Sequence, residues 1–164
     1  MIWIARITAT AALLIQLAAV PLPVLRYPNR DFAGSDFGLA EAAVASSGGL
    51  LLIPGFLLTV ACAVLAWFGL RSRAWGWLAG TASLMLIFGA ISTVSAADQF
   101  VIMWDGFDEE RGLPIGGMEV PEPSWGLALI GLAAVALAIG AIIRLLAHPG
   151  KAAGRTPRGR SAST

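Results

Sequence analysis

The sequence predicts an all-α integral membrane protein: an antiparallel bundle of four transmembrane helices, both termini cytoplasmic (N-in/C-in), with two long outer loops. Three observations predict it. Of 164 residues, 57% are hydrophobic and 13% charged, with a mean hydropathy of +0.78; soluble domains run near 45–50% apolar and about 25% charged. The apolar residues fall in four blocks of roughly the 20 residues that a helix needs to cross a bilayer. The basic residues gather on one side of those blocks, as cytoplasmic flanks do.

The first block spans about residues 2–22. Arg6 lies near its start, where a long side chain can reach back to the headgroups, and Pro21 and Pro23 oppose any regular continuation. A signal peptide, with Arg6 as its basic region and Ala11–Val20 as its apolar stretch, is the plainer competitor, but no convincing small-x-small cleavage site precedes a polar segment, so the block is read as retained. The second block, 50–70, follows Gly48-Gly49 and carries Pro54 in its first turns. The third, 75–96, follows so closely that the two must form a helical hairpin. The fourth, 125–146, ends near Arg144. Residues 1–147 thus form the membrane domain, with outer loops 26–48 and 97–124, and residues 148–164 a disordered basic cytoplasmic tail.

Within the first outer loop, a short helix is expected with Ser35 or Asp36 as N-cap and Gly48 at its end. Within the second, the apolar run Phe100-Val101-Ile102-Met103-Trp104 either extends the third helix or lies along the membrane surface.

Orientation rests on the bases. Arg6, Arg71, Arg73, Arg144, Lys151, Arg155, Arg158 and Arg160 share one side, against Arg26, Arg30 and Arg111 on the other. Arg71, Arg73, Arg144 and Lys151 therefore serve as cytoplasmic anchors. All ten acids lie in the two outer loops. Trp3, Trp67, Trp75 and Trp77 mark the inner ends of the blocks, and Tyr27, Trp104 and Trp125 the outer ends.

Chemistry is sparse. No ionisable residue occupies the middle of any block, the usual marker of proton or ion transport. Small multidrug transporters use a membrane-embedded Glu that this chain lacks. One cysteine, Cys62, excludes a paired-thiol oxidoreductase, and the single histidine, His148, lies outside the bundle and excludes a bis-histidine haem. No cofactor, metal or catalytic set is expected, and no nucleic-acid partner. Gln16 is the candidate intramembrane polar contact; its plainer reading is an interhelical hydrogen bond on the stripe Thr8, Ala12, Gln16. Asp105, Asp108, Glu109 and Glu110 are the candidate contacts for a partner or a cation. They lack the spacing of a calcium loop, so a solvated acidic loop is the plainer reading. Gly55, Gly76, Gly80 and Gly131 are expected to pack helices closely.

The Gly/Pro-rich approach from Gly112 to Ser124, leading into Trp125-Gly126-Leu127 and a Gly/Ala/Leu helix, resembles that of small four-helix membrane proteins of unknown function from GC-rich bacteria. The resemblance is one of layout and implies architecture, in a bacterial plasma membrane, without an activity. The function expected is non-enzymatic: an accessory or scaffolding subunit whose acidic outer loops meet a membrane or envelope protein, the bilayer being its other partner. The alternative is a small channel or facilitator for a neutral or cationic solute.

Overall fold

The computed structural model describes residues 2–28, 36–68, 73–108 and 113–147. Within them the chain is mostly helical: α1 (Ile2–Ala19), α2 (Leu39–Ala45), α3 (Leu52–Trp67), α4 (Arg73–Ser95) and α5 (Trp125–Leu146). Three helices are long and apolar enough to cross a membrane: α3 with the 3-10 turn that precedes it (Gly49–Trp67), α4 and α5. The apolar α1 is shorter and stops at Ala19 rather than near residue 22. Pro21 disfavours the helical conformation at Val20, and neither Pro21 nor Pro23 can donate to the ladder. Pro54 sits in the first turn of α3, where its missing N–H costs no intrahelical bond.

α1 packs on α3 and α5, and α4 packs on the same two, so the four long helices close into a ring. The interior is built from small residues: Ala5, Ala9, Ala12 and Ala19 on α1, Ala63 and Ala66 on α3, Ala79 and Ala82 on α4, Ala133, Ala134 and Ala141 on α5. A few large side chains, Leu52, Leu86, Ile130 and Leu137 among them, fill the interior between these, and many others point outward; Leu14, Leu57, Leu84, Phe88, Val135 and Ile142 are all more than half exposed. Water would penalise that arrangement heavily, since each large side chain left out forgoes about 1.5–3 kcal/mol of burial. Lipid imposes no such penalty, and small residues let helix backbones approach where no hydrophobic force drives them together.

Polar side chains stitch the ring. The Trp75 indole donates to the Cys62 carbonyl (2.9 Å) and the Ser83 hydroxyl to the Ala134 carbonyl (2.8 Å). The Trp67 indole donates to Thr10 Oγ1 (3.1 Å).

The chain is mostly helical as expected, but the two long loops add short strands that an all-α reading leaves out. β2 (Ile102–Asp108) and β3 (Leu113–Glu119) pair antiparallel from Ile102↔Glu119 to Asp108↔Leu113. β1 (Leu25–Arg26) pairs antiparallel with β4 (Glu122–Pro123), joining one long loop to the other. The apolar run 100–104 divides: Phe100 closes a 3-10 turn (Ala97–Gln99) that follows α4, and Ile102 to Trp104 enter β2. Burial in the strand alternates with a period of two. Ile102 and Trp104 are half-buried and Met103 exposed, and the Trp104 ring lies over Gly117, where a Cβ would fall 2.5 Å from Cζ2.

The short α2 forms as expected but with different caps. Its N-cap is Gly38, whose N–H donates to the Glu41 carboxylate (2.9 Å), and its C-cap is Ser46. Asp36 is engaged elsewhere, accepting from the Tyr27 N–H at 3.0 Å; Ser35 lies outside the described residues, as does the tail from residue 148.

Candidate functional site

Four segments between the helices converge on one platform. The Val24 N–H donates to the Phe37 carbonyl (2.8 Å), the Ser124 N–H to the Val24 carbonyl (2.9 Å) and the Gly126 N–H to the Pro23 carbonyl (3.0 Å). Tyr27, 2% exposed, donates its hydroxyl to the Phe100 carbonyl at 2.6 Å. The Phe37 ring stands between Tyr27 and Phe100, with centroids 6.3 and 5.0 Å away. Tilted rings at these separations add favourable edge–face electrostatics to their burial. Backbone groups that would otherwise need water are satisfied within the platform, so these loops are anchored onto the helix ends.

Burial, with the Glu119 and Asp36 carboxylates nearby, pushes the Tyr27 phenol above its ordinary value of 10.0. The folded state therefore holds the phenolic proton more tightly than the unfolded chain. The stabilisation is complete below the unfolded value and is lost as pH rises through the higher folded one. Tyr27 is the only tyrosine, so tyrosinate absorbance reports it alone. Its titration midpoint is expected above that of free tyrosine. Thermal stability is expected to fall across that alkaline window in the wild type and less in Tyr27→Phe. A midpoint at the ordinary value would show that the ring is not held as described.

The β2–β3 hairpin extends from this platform. One face presents Ile102 and Trp104 opposite Glu119 and Gly117; the other presents Met103 directly opposite Met118, and Asp105 opposite Gly116. Met103 is 75% exposed and Met118 67%, an apolar pair open to solvent. Each strand has one ladder partner, so both outer edges of the two-stranded sheet are unpaired among the described residues. Asp105 shares the methionine face. Asp108 ends β2; its side chain, Glu109 and Glu110 lie outside what is described. Among the described residues, no three of His, Cys, Asp and Glu come together to hold a metal ion.

The chain matches no protein-family model, and comparison with curated proteins and with solved structures found no match.

Inside the ring, Gln16 is 1% exposed and its Nε2 donates to Thr59 Oγ1 at 3.2 Å. The Thr59 hydroxyl donates its own proton to the Gly55 carbonyl (2.9 Å). Gln16 Oε1 has no partner among the described residues. Beside it is a cavity of about 10 Å³ lined otherwise by apolar side chains including Leu52, Phe56, Leu86 and Ile130, room for about one water. The glycines differ in setting. A Cβ on Gly55 would meet Leu86 Cδ2 at 2.9 Å, one on Gly76 Leu145 Cδ2 at 3.1 Å, and one on Gly80 Ala141 Cβ at 3.9 Å. At Gly131 it would meet nothing within 4 Å.

At the opposite end, Arg6 Nε donates to the Ala66 carbonyl (3.2 Å) and Nη2 to that of Trp67 (3.4 Å). These are terminal carbonyls of α3, where a cation also meets the negative end of the helix dipole. The Arg6 guanidinium lies 5.2 Å from the Trp67 ring and 5.6 Å from that of Trp3, within cation–π range. Sequence spacing gives no hint of this cap, since the partners stand 60 residues apart. Arg144 is 7% exposed with Nε unpartnered among the described residues. Arg73 begins α4 and is exposed, while Arg71 and Lys151 lie outside the described residues.

Proposed function

We propose that this chain is a four-span, N-in/C-in protein of the bacterial plasma membrane, acting without catalysis as an accessory subunit that holds out a β-hairpin to a membrane or envelope protein partner. One observation carries the reading: the hairpin leaves an apolar Met103–Met118 pair and two open strand edges unused among the described residues. A two-stranded sheet is marginal on its own, and exposed edges are usually blunted or covered unless another strand pairs with them. Edge pairing supplies affinity through main-chain hydrogen bonds, and adaptable methionines fill the partner's irregular surface. The platform anchors the hairpin at its base, which lowers the ordering cost of binding.

Four spans are supported by the ring of helices and the inside-out distribution of side-chain size, and the N-in sense by the eight-to-three split of basic residues. A channel needs a continuous polar path, and a cavity of about 10 Å³ beside Gln16 offers none.

The test is a photocrosslinking side chain at Met103. It is expected to capture one partner in intact membranes, and detergent extraction to recover that partner stoichiometrically. Met103→Lys with Met118→Lys is expected to weaken recovery about thirtyfold, the scale of a hot-spot loss of about 2 kcal/mol. Deleting residues 105–120 should abolish it. A monomer that crosslinks to nothing and keeps its phenotype without the hairpin would overturn the proposal.

A further inference from the structure

A groove of about 980 Å³ opens between the outer ends of α4 and α5. Its walls are apolar: Ala90, Ile91 and Val94 from the last turns of α4, and Leu127 and Ala128 from the first turn of α5. Its mouth is polar and carries both signs of charge. Arg26 and Glu122, opposite each other in the β1–β4 ladder, both line it. Both are exposed, and neither forms an ion pair with the other or with another described residue. Trp125, 75% exposed, stands at the rim, where an indole suits the headgroup layer.

The size falls in the range of small-molecule sites, roughly 300–1,000 Å³, and the layout is amphipathic in one direction. From Ser95 to Ala90 the wall descends about 7.5 Å along α4 at 1.5 Å per residue. That depth takes a glycerol backbone and the first acyl methylenes beneath a headgroup. A cation and an anion side by side at the mouth match a headgroup that holds a phosphate two carbons from a primary ammonium. The guanidinium of Arg26 offers the forked pair of donors that a phosphate takes, and the carboxylate of Glu122 offers an acceptor suited to an ammonium. The same Glu122 opposes a headgroup of net negative charge, because like charges at close range disfavour each other.

We infer that the groove between α4 and α5 binds one zwitterionic aminophospholipid, its phosphate on Arg26 and its ammonium on Glu122. The inference rests on the membrane reading of the chain but not on the hairpin's partner.

The experiment uses the full chain reconstituted in nanodiscs of defined composition, followed by native mass spectrometry of retained lipid. Phosphatidylethanolamine is expected to be retained about tenfold over phosphatidylglycerol and over phosphatidylcholine, whose quaternary ammonium cannot donate to Glu122. Glu122→Gln should erase that preference, and Arg26→Gln should weaken retention of all three. Ala90→Leu, which fills the wall without touching either charge, should lower retention of every class. Free phosphoethanolamine is expected not to compete, because it lacks the chains that fill the groove. Equal retention of the three lipids, or retention indifferent to Arg26→Gln and Glu122→Gln, would overturn the inference and leave the membrane reading intact. So would effective competition by the free headgroup. A chain that does not enter nanodiscs at all would overturn both.

Discussion

Gly126→Ala is expected to detach the loop platform from the first turn of α5. A Cβ at this position would lie 2.6 Å from the Pro23 carbonyl oxygen and 2.9 Å from that of Leu22. Both are backbone atoms, so neither can rotate aside as a side chain does. The close approach is set by a hydrogen bond, since the Gly126 N–H donates to the same Pro23 oxygen at 3.0 Å. Restoring normal contact distance means moving residues 22–26 away. That breaks this bond, strains the Ser124–Val24 bond beside it and disturbs the β1–β4 register. Overpacking costs about 1–3 kcal/mol, and the broken backbone bond adds about 1 kcal/mol, so a loss of about 2–4 kcal/mol is expected. Thermal unfolding in detergent measures it. A second readout locates it: Leu25→Cys places a thiol at a site with 0% exposure, and the native Cys62 is also buried. Maleimide should label the introduced thiol slowly in an otherwise wild-type chain and rapidly when Gly126→Ala is added. An unchanged melting temperature and slow labelling would mean that the loop does not sit on α5 as described.

That contact shows what can be read from the residues and what cannot. The helices are legible because a block of some twenty apolar residues has few physical alternatives, and Pro21 and Pro23 mark the close of α1 to within a turn. The strand at Ile102–Asp108 is not, because a run of five apolar residues satisfies helix and strand periods alike. What decides it is non-local: the Trp104 ring needs a residue without a side chain across the ladder, and Gly117 supplies it. The cap of α2 is obscured by a similar competition. Asp36 has the ideal chemistry for an N-cap, yet its carboxylate is taken by the Tyr27 N–H from another segment. Arg6 has the reach of a residue that seeks headgroups, and only the fold brings the last carbonyls of α3 to it. Small residues at four-residue spacing announce that a helix has a close-packed face without saying which face. On α5 the buried positions include Gly126, Ile130, Ala133, Ala134, Leu137, Gly140 and Ala141, whereas Gly131 turns elsewhere.

Gly89→Ala is expected to destabilise the bundle by about 1–3 kcal/mol, and its cost is expected to depend on Leu52. The α3–α4 contact is reciprocal. Leu86 of α4 sits on Gly55 of α3, and Leu52 of α3 sits on Gly89 of α4, each leucine 2% exposed. A Cβ on Gly89 would fall 2.8 Å from Leu52 Cγ and Cδ2, and 3.1 Å from the Leu52 backbone nitrogen. Most of the conflict is therefore with a side chain that has nowhere to go, and a smaller part with backbone. Leu52→Ala alone removes a buried leucine and is expected to cost about 2–5 kcal/mol, part of it for the cavity left behind. In the double variant the methyl introduced by Gly89→Ala enters that cavity. The two losses are then expected to fall short of additivity by about 1 kcal/mol or more, the signature of residues in direct contact. Recovery stays incomplete because the Leu52 nitrogen remains close. Gly131→Ala makes the control, since a Cβ there meets open space, and it is expected within about 0.5 kcal/mol of the wild type. Denaturation of the four variants in one detergent gives the cycle. Strict additivity of Gly89→Ala and Leu52→Ala would mean that α3 and α4 do not interlock through these pairs, and a loss at Gly131 as large as at Gly89 would mean that local sequence, not the facing helix, sets what a glycine is worth in this bundle.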